Sequence, residues 1–266
     1  MKIIDMTFGA LALLLLVSGC STVPVTGRKQ LSLVSDAQLI PESAAAYNEV
    51  IEKGPLSDNH AQAAMIQRVG ERISAAVDLY FKERGRADVI AGFNWEFHLI
   101  EEDVPNAWCM PGGKVAFYTG ILPYTQDETG VAVVMGHEIA HAIARHSNER
   151  VSHQMAAAGG GLLTAWMAKD SEYQDAIMTA YGIGVQVGGI LPYSRLHESE
   201  ADQMGLIFMA MAGYNPEAAV GFWQRMGAAG GQKPPEFLST HPADETRVRE
   251  IREHLPEAMK YFIPTR

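Results

Sequence analysis

The spacing of apolar residues predicts a mostly helical chain with a small sheet in its middle. Residues 35–53 and 59–84 repeat apolar side chains at intervals of three and four, as amphipathic helices do. Residues 94–102 instead alternate apolar and polar side chains, which is typical of a half-buried strand. Two further short apolar runs flank the Pro-Gly-Gly of residues 111–113, which indicates a hairpin turn. We therefore expect about three antiparallel strands.

A helix that reads as buried follows the sheet and carries titratable residues. Residues 125–128, Thr-Gln-Asp-Glu, have the form of a capping box, so we expect a helix to begin there and run to about His146. At 100° per residue, His137 and His141 lie on one face, one turn apart, whereas His146 falls on the far side. Two of the three histidines can share a partner and the third cannot.

The rest of the chain is predicted to be helical. Two nearly uncharged segments, 154–168 and 176–194, are rich in glycine and alanine, and we interpret them as core helices or a hairpin near the site, with membrane dipping as the alternative. Amphipathic helices continue from residue 216 and are interrupted at 230–242. The predicted fold class is α+β, mostly α-helical, with the histidine helix packed under the small antiparallel sheet.

The N-terminus predicts export and lipidation. The apolar run from Met6 to Val17 is too short to cross a bilayer of roughly 30 Å comfortably, so it reads as a signal peptide, with a simple membrane anchor as the alternative. The following Val-Ser-Gly-Cys resembles a bacterial lipobox, which implies lipidation of Cys20. We expect a signal peptide over 1–19, a tether over 20–33 and a single folded domain over 34–266. Ser21 after the cysteine favours the periplasmic face of the outer membrane.

Composition limits the partners. The 266 residues are 47% hydrophobic, which suits one core. The net charge is −10 and the 21 Lys and Arg are scattered, so the sequence predicts no nucleic-acid partner. With Cys20 lipidated, only Cys109 remains, which excludes an intramolecular disulfide and favours a buried thiol.

The spacing of the histidines suggests metal chemistry. His137-Glu138-x-x-His141 is the zinc-protease arrangement, in which both imidazoles reach one metal and the glutamate faces the open coordination position. The alternative is two core histidines and an ion-paired Glu138. A catalytic site needs a third protein ligand.

A second motif offers that ligand. The second motif is Ser194-Arg195-x-x-Glu198-x-x-Ala201-Asp202. Together with the first motif, it resembles the gluzincin metallopeptidases that include the heat-shock membrane protease HtpX and the CAAX prenyl proteases, whose soluble branch comprises periplasmic lipoproteins and outer-membrane-assembly proteases. The resemblance extends to PVTGRKQLSLVSD near the start, NAWCMPGG in the sheet and STHPADETRVREI at the end.

The resemblance implies a site with one Zn²⁺ per chain. Glu198 would be the third ligand beside His137 and His141, and Asp202 would orient a ligand histidine from behind, with Arg195 in the same layer. Glu138 would be the general base.

The resemblance also implies how substrate is held. The strand holding Asn106, Ala107, Trp108 and Cys109 would be a sheet edge that binds extended substrate by strand addition.

His241 has three candidate roles. By the resemblance, it would either stabilise an oxyanion or occupy the water position and so hold the enzyme latent. The alternative is that His241 only caps a loop. His197 and Glu200 flank the second motif and are interpreted as solvated helix residues.

The expected function is zinc-dependent endoproteolysis of unfolded or misassembled envelope proteins. The enzyme would be lipid-anchored in the bacterial cell envelope, with the envelope assembly machinery as a further candidate partner. Two alternatives are a largely latent, chaperone-like outer-membrane assembly factor that retains the zinc site, and a structural lipoprotein whose histidines are core residues.

Overall fold

A computed structural model of the chain describes residues 20–157, 194–229 and 236–264. Its helices are α1 Asp36–Lys53, α2 His60–Glu83, α3 Leu122–Thr125, α4 Glu128–Ala144, α5 His146–Ala157, α6 Arg195–Met211, α7 Ala218–Ala228, α8 Glu236–Thr240 and α9 Glu245–Ala258. Its strands are β1 Cys20–Thr22, β2 Lys29–Leu31, β3 Glu96–Ile100, β4 Ala107–Met110 and β5 Lys114–Tyr118. Within these ranges no helix combines the length and the apolar character needed to cross a bilayer. The uncharged segments 154–168 and 176–194 lie largely outside the described residues.

The predicted fold class is confirmed, and helices α1 and α2 lie where the apolar spacing predicts them. The side chain of Asn59 caps α2 by accepting a hydrogen bond from the Gln62 amide. The apolar stripe of α2 is buried because these side chains recur on one face of the helix. Its fully buried members are Ile66, Val69, Ile73 and Val77.

The central sheet has three strands in the order β3-β5-β4. Strand β4 pairs antiparallel with β5, with Ala107 opposite Phe117, as the Pro-Gly-Gly turn predicts. Strand β3 pairs parallel with β5, with Glu96 opposite Lys114, so the expectation of a wholly antiparallel sheet is wrong for this pair. The alternation of apolar and polar residues identifies strands but not the strands they pair with. Here the β4–β5 hairpin docks so that β5 lies between β3 and β4.

The sheet lies between two helical layers. On one face, Phe97, Val115 and Phe117 join the main core with residues of α2, α4 and α6. On the other face, Trp108 and Met110 join a smaller cluster with residues of α1 and α5. The histidine helix α4 therefore packs against the sheet, as predicted.

Helix α4 begins and ends slightly inside the predicted limits. The cap is Asp127, whose side chain accepts from the Gly130 amide at 2.8 Å, whereas Thr125 lies in the short helix α3. Gln126, with φ of 69°, separates the two helices. At the other end Arg145 adopts the left-handed conformation, with φ of 60°, and stops α4 before His146, which begins α5.

A close helix crossing brings the two motifs together. Gly136 of α4 and Gly205 of α6 touch backbone to backbone, and a Cβ on Gly136 would lie 2.8 Å from the Gly205 carbonyl oxygen. The helices can approach this closely because neither residue carries a side chain. His137 therefore lies beside the turn of α6 that carries Glu198.

Residues 20–33 are not a loose tether in this structure. Strands β1 and β2 pair antiparallel, with Cys20 opposite Leu31, and form what we call the N-terminal hairpin, residues 20–31. Val23 in its turn is fully buried and belongs to the main core. The polar composition suggested a tether because the sequence does not show that these polar side chains bind to helices that are distant in the chain.

Candidate metal centre

Four donor side chains from three parts of the chain converge at one buried point. His137 and His141 come from α4, Glu198 from α6, and His241 from the residue after α8. One ligand atom from each lies within 4.8 Å of every other. All four residues are at least 95% buried. The structure thus brings together the three predicted metal ligands and adds His241 to them.

The distances between these donors suit one tetrahedral metal. The Nε2 of His137 lies 3.0 Å from the Nε2 of His141 and 3.2 Å from the Nδ1 of His241. A Glu198 oxygen lies 3.1 Å from His241 Nδ1 and 3.3 Å from His141 Nε2. Nitrogen and oxygen ligands of tetrahedral zinc lie roughly 3.3 Å apart, given bonds of about 2.0–2.1 Å. The residues present therefore fit a zinc ion.

The electrostatics prepare His141 and Glu198 to act as ligands. Burial and Arg247 would lower the pKa of His137, but Asp202 and Glu198 raise it to about 9, so this ring must lose a proton when it binds a metal. Burial lowers the pKa of His141 well below its usual value, which keeps this imidazole neutral. Burial alone would raise the pKa of Glu198, but attraction to His241 and Arg247 lowers it well below its usual value. A neutral imidazole and an ionised carboxylate are the forms that bind a metal.

Glu138 lies next to the four donors and differs from them. It is buried, and within the described ranges its Oε1 has no hydrogen-bond partner. This oxygen lies 3.5 Å from the Nε2 of His241. Burial raises the pKa of Glu138 above its usual value. A carboxylate with an unsatisfied oxygen and an increased proton affinity is suited to accept a proton.

A buried arginine that the sequence analysis missed holds the site from behind. The carboxylate of Asp202 lies 2.9 Å from His137 Nδ1, behind the ligand ring. Arg247 of α9 donates to Glu198 at 2.6 Å and twice to Asp202 at 2.8 Å. Its guanidinium lies 3.3 Å from the ring centroid of Trp223. The only signal in the sequence is that Arg247 belongs to the STHPADETRVREI segment.

Arg195 does not lie in the layer behind the ligands. Its side chain is 80% exposed and pairs with Asp244 at 3.1 Å. Arg195 is the first residue of α6, and its side chain extends to Asp244 at the surface, whereas Glu198 one turn later is buried. The expectation that Arg195 orients the site is therefore wrong.

Strand β4 lies at the edge of the sheet, as predicted, and packs against the core side of the site. Cys109 is buried, and burial together with the nearby Glu138 carboxylate raises its pKa well above the usual value. Trp108 points to the opposite face and packs edge-on against Tyr47. The amide of Ala107 donates to the Asn106 side chain at 2.9 Å. Substrate binding by Asn106, Ala107, Trp108 and Cys109 stays a prediction.

A second set of buried and partly buried ionisable residues lies behind α4, and we call it the rear network. It consists of Arg28, His146, Glu149, His197 and Glu200. Arg28 donates to both oxygens of Glu149, at 2.9 and 2.7 Å, and to Glu200 at 2.7 Å. His197 contacts Glu149 at 2.8 Å, and His146 contacts Glu200 at 3.3 Å.

The rear network corrects two expectations. Glu200 and His197 are buried, not solvated, because the N-terminal hairpin covers the face of α6 that carries them. His146 does not share the ligand position, but it does contact a ligand, since its Nδ1 lies 2.8 Å from the Nδ1 of His141. It can do so because α4 ends at Ala144 and the chain changes direction.

Comparison with known proteins identifies relatives of this chain. Residues 60–255 match the model of peptidase family M48. A mitochondrial metalloendopeptidase OMA1 from Schizosaccharomyces pombe is 37% identical over 241 residues, which are 89% of this chain and 66% of the relative. The protein of the same name from Arabidopsis thaliana is 34% identical over 160 residues, 60% of this chain and 31% of the relative.

A bacterial relative has a different printed name. The putative beta-barrel assembly-enhancing protease of Vibrio cholerae is 30% identical over 232 residues, which are 84% of this chain and 45% of that protein. The chain thus spans 66%, 31% and 45% of the lengths of these three relatives.

Proposed function

This chain belongs to peptidase family M48, and we propose that it is a zinc-dependent endopeptidase of the bacterial cell envelope. The observation that carries the proposal is the convergence of four buried donors beside a glutamate oxygen with no hydrogen-bond partner in the described part of the chain. A core histidine cluster would be expected to satisfy that oxygen. The structural-lipoprotein alternative is therefore not favoured.

The roles of the residues follow from their positions. His137, His141 and Glu198 would hold the zinc, and Asp202 would fix the ring of His137 by accepting its Nδ1–H. A zinc ion there would polarise a peptide carbonyl and make water more acidic. Glu138 would take the proton of the attacking water at its carboxylate and return it to the leaving amine. The raised pKa of Glu138 suits both steps.

The proposed substrates are extended segments of unfolded or misassembled proteins. Strand β4 lies at the sheet edge beside α4, and a strand edge can bind a peptide through its backbone with little sequence preference. The printed name of the Vibrio cholerae relative supports a role with envelope proteins and their assembly machinery. The printed names of the mitochondrial relatives, which are metalloendopeptidases, support the proposed reaction.

The proposed location is the periplasmic face of the outer membrane. It rests on the lipobox-like residues that end at Cys20, with residues 1–19 as the signal peptide. Cys20 is exposed at the start of β1, where a lipid could be attached without disturbing the core. The N-terminal hairpin would then link the lipid at Cys20 directly to the peptidase domain.

One observation favours the latent form of the enzyme. His241 supplies a fourth donor, 3.2 Å from His137 Nε2 and 3.1 Å from Glu198, and a tetrahedral zinc with four protein ligands would keep no position for water. We propose that His241 holds this conformation inactive and leaves when substrate binds. The chaperone-like alternative requires that His241 stays.

The test compares wild type with Glu138→Gln on an unfolded model protein such as reduced casein, with zinc measured in both samples. We expect wild type to cleave and the zinc-loaded variant to be slower by about 10²–10⁴-fold. Equal cleavage by the two would refute the role of Glu138. If zinc is bound and neither cleaves, His241→Ala decides. Cleavage gained by that variant supports latency, and continued inactivity supports the chaperone-like alternative.

A further inference from the structure

The N-terminal hairpin reaches the metal centre through hydrogen bonds between buried and partly buried groups. Arg28, whose side chain is 19% exposed, holds Glu149 with a bidentate fork and Glu200 with its Nε. Thr26 of the same turn donates to the other oxygen of Glu200. Both carboxylates are thereby fixed by a segment that lies outside residues 60–255, the range of the family match.

Glu200 passes this constraint on to a metal ligand. When His141 binds a metal through Nε2, the nitrogen that faces the other donors, this nitrogen carries no hydrogen and the ring hydrogen lies on Nδ1. That Nδ1–H points at the Nδ1 of His146, 2.8 Å away, which must then accept. The hydrogen of His146 therefore lies on Nε2 and donates to Glu200 at 3.3 Å. Every hydrogen bond in this series has one donor and one acceptor.

The hairpin also holds the end of the helix that carries His141. Gln30 is buried, and its Nε2 donates at 2.9 Å to the carbonyl of Ala144, the last residue of α4. The carbonyls of a last helical turn lack partners within the helix, so this contact satisfies one of them. The hairpin thus constrains both the helix end and the ring of His141.

We propose that Arg28, Glu200 and His146 are positioning residues of the metal centre, and that the N-terminal hairpin is an integral part of it. They fix the tautomer and orientation of His141 as Asp202 fixes those of His137. None of the three touches substrate or zinc. This inference rests on the proposed function insofar as His141 is a zinc ligand.

The test measures the zinc dissociation constant of the full chain by chelator competition. We expect Arg28→Gln and His146→Leu to weaken zinc binding by about 10–100-fold, the usual effect of losing a group that orients a ligand. Lys29→Gln is the matched control, because Lys29 lies next to Arg28 on the same hairpin, but among the described residues its ammonium group contacts only Thr22. His146→Asn should recover most of the affinity, since its amide oxygen can accept from His141.

Two further measurements separate positioning from general stability. The visible spectrum of the Co²⁺-loaded chain should change in Arg28→Gln and His146→Leu, because it reports the geometry of the ligands, and should stay unchanged in Lys29→Gln. The melting temperature of the metal-free chain should be similar for His146→Asn and His146→Leu although their zinc affinities differ. If His146→Leu does not fold, Arg28→Gln decides.

Zinc affinities and cobalt spectra of both variants equal to those of Lys29→Gln would overturn the inference while leaving the proposed function intact. A wild-type chain that binds no zinc would overturn both.

Discussion

Helix α6 carries two buried glutamates, two residues apart, that have opposite surroundings. Glu198 faces three histidines whose nitrogens approach one another to 3.0 and 3.2 Å. Among the described residues, Glu200 faces only donors, from Thr26, Arg28 and His146. The first set gathers acceptors that need a cation between them, whereas the second pairs every acceptor with a donor. A buried cluster in which hydrogen-bond acceptors face one another therefore indicates a reactive site. A buried cluster in which each acceptor has a donor indicates a structural role.

The comparison also explains why both sets tolerate burial. A buried carboxylate is costly unless a charge and hydrogen bonds compensate it. Arg28 compensates Glu149 and Glu200 in the rear network. At the metal centre Arg247 compensates Glu198 and Asp202, and a zinc ion would add to it. Each site thus depends on one arginine.

The largest expected effect comes from removing the arginine of the metal centre. Arg247→Leu leaves two buried carboxylates without their cation, so we expect the free energy of unfolding of the metal-free chain to fall by about 3–5 kcal/mol. Urea unfolding measures it. Zinc should reduce the loss, because it neutralises Glu198. A loss below about 1 kcal/mol without metal would mean that Arg247 does not compensate these charges.

The next effect concerns the group behind His137. Asp202→Asn removes the charge that favours a hydrogen on His137 Nδ1, which lies 2.9 Å from the carboxylate. We expect zinc affinity to fall by about 10–100-fold with the fold retained. Chelator competition measures the affinity and circular dichroism checks the fold. An unchanged affinity would show that Asp202 does not orient the ligand.

The rear network predicts a pH dependence. Burial would raise the pKa values of Glu149 and Glu200, but hydrogen bonds from Arg28, His197 and His146 lower both to about 2. Because the folded values lie below the ordinary 4.5, these groups stabilise the fold above pH 4.5, and this stability is lost as pH falls toward 2.

The measurement is urea unfolding of wild type and Glu149→Gln at several pH values between 5 and about 2.5. Wild type should lose stability more steeply with falling pH, because the variant lacks one of the two groups. Parallel pH profiles would refute the contribution of Glu149.

The smallest effect is expected at Arg195, which pairs with Asp244 at the surface. Arg195→Ala should change the free energy of unfolding by no more than about 1 kcal/mol, as exposed ion pairs do, and should leave zinc affinity unchanged. A tenfold loss of zinc affinity would restore the role that the sequence suggested for Arg195.

Local spacing predicted the parts of the site that one helix can define. The helical repeat places His137 and His141 on one face and puts Asp202 one turn after Glu198, so these positions followed from the motifs. Arg247 and the rear network did not, because they depend on which distant segments meet. For the same reason, the sequence indicated that the polar residues of the N-terminal hairpin are solvated. No nearby residue in the sequence shows that α5 and α6 cover Arg28.

The sheet shows the same limit. Alternation and the Pro-Gly-Gly turn predicted the strands and the β4–β5 hairpin. The parallel pairing of β3 with β5 depends on where the hairpin docks, which no local pattern records.

The most direct test of the contrast is the zinc affinity of Glu198→Gln and Glu200→Gln, measured side by side with wild type. Both substitutions remove one buried charge from the same helix, two residues apart, so general effects on α6 are matched. The account predicts one tightly bound zinc in wild type, a loss of about 10–100-fold in Glu200→Gln and a greater loss in Glu198→Gln. An equal or smaller loss in Glu198→Gln would contradict it.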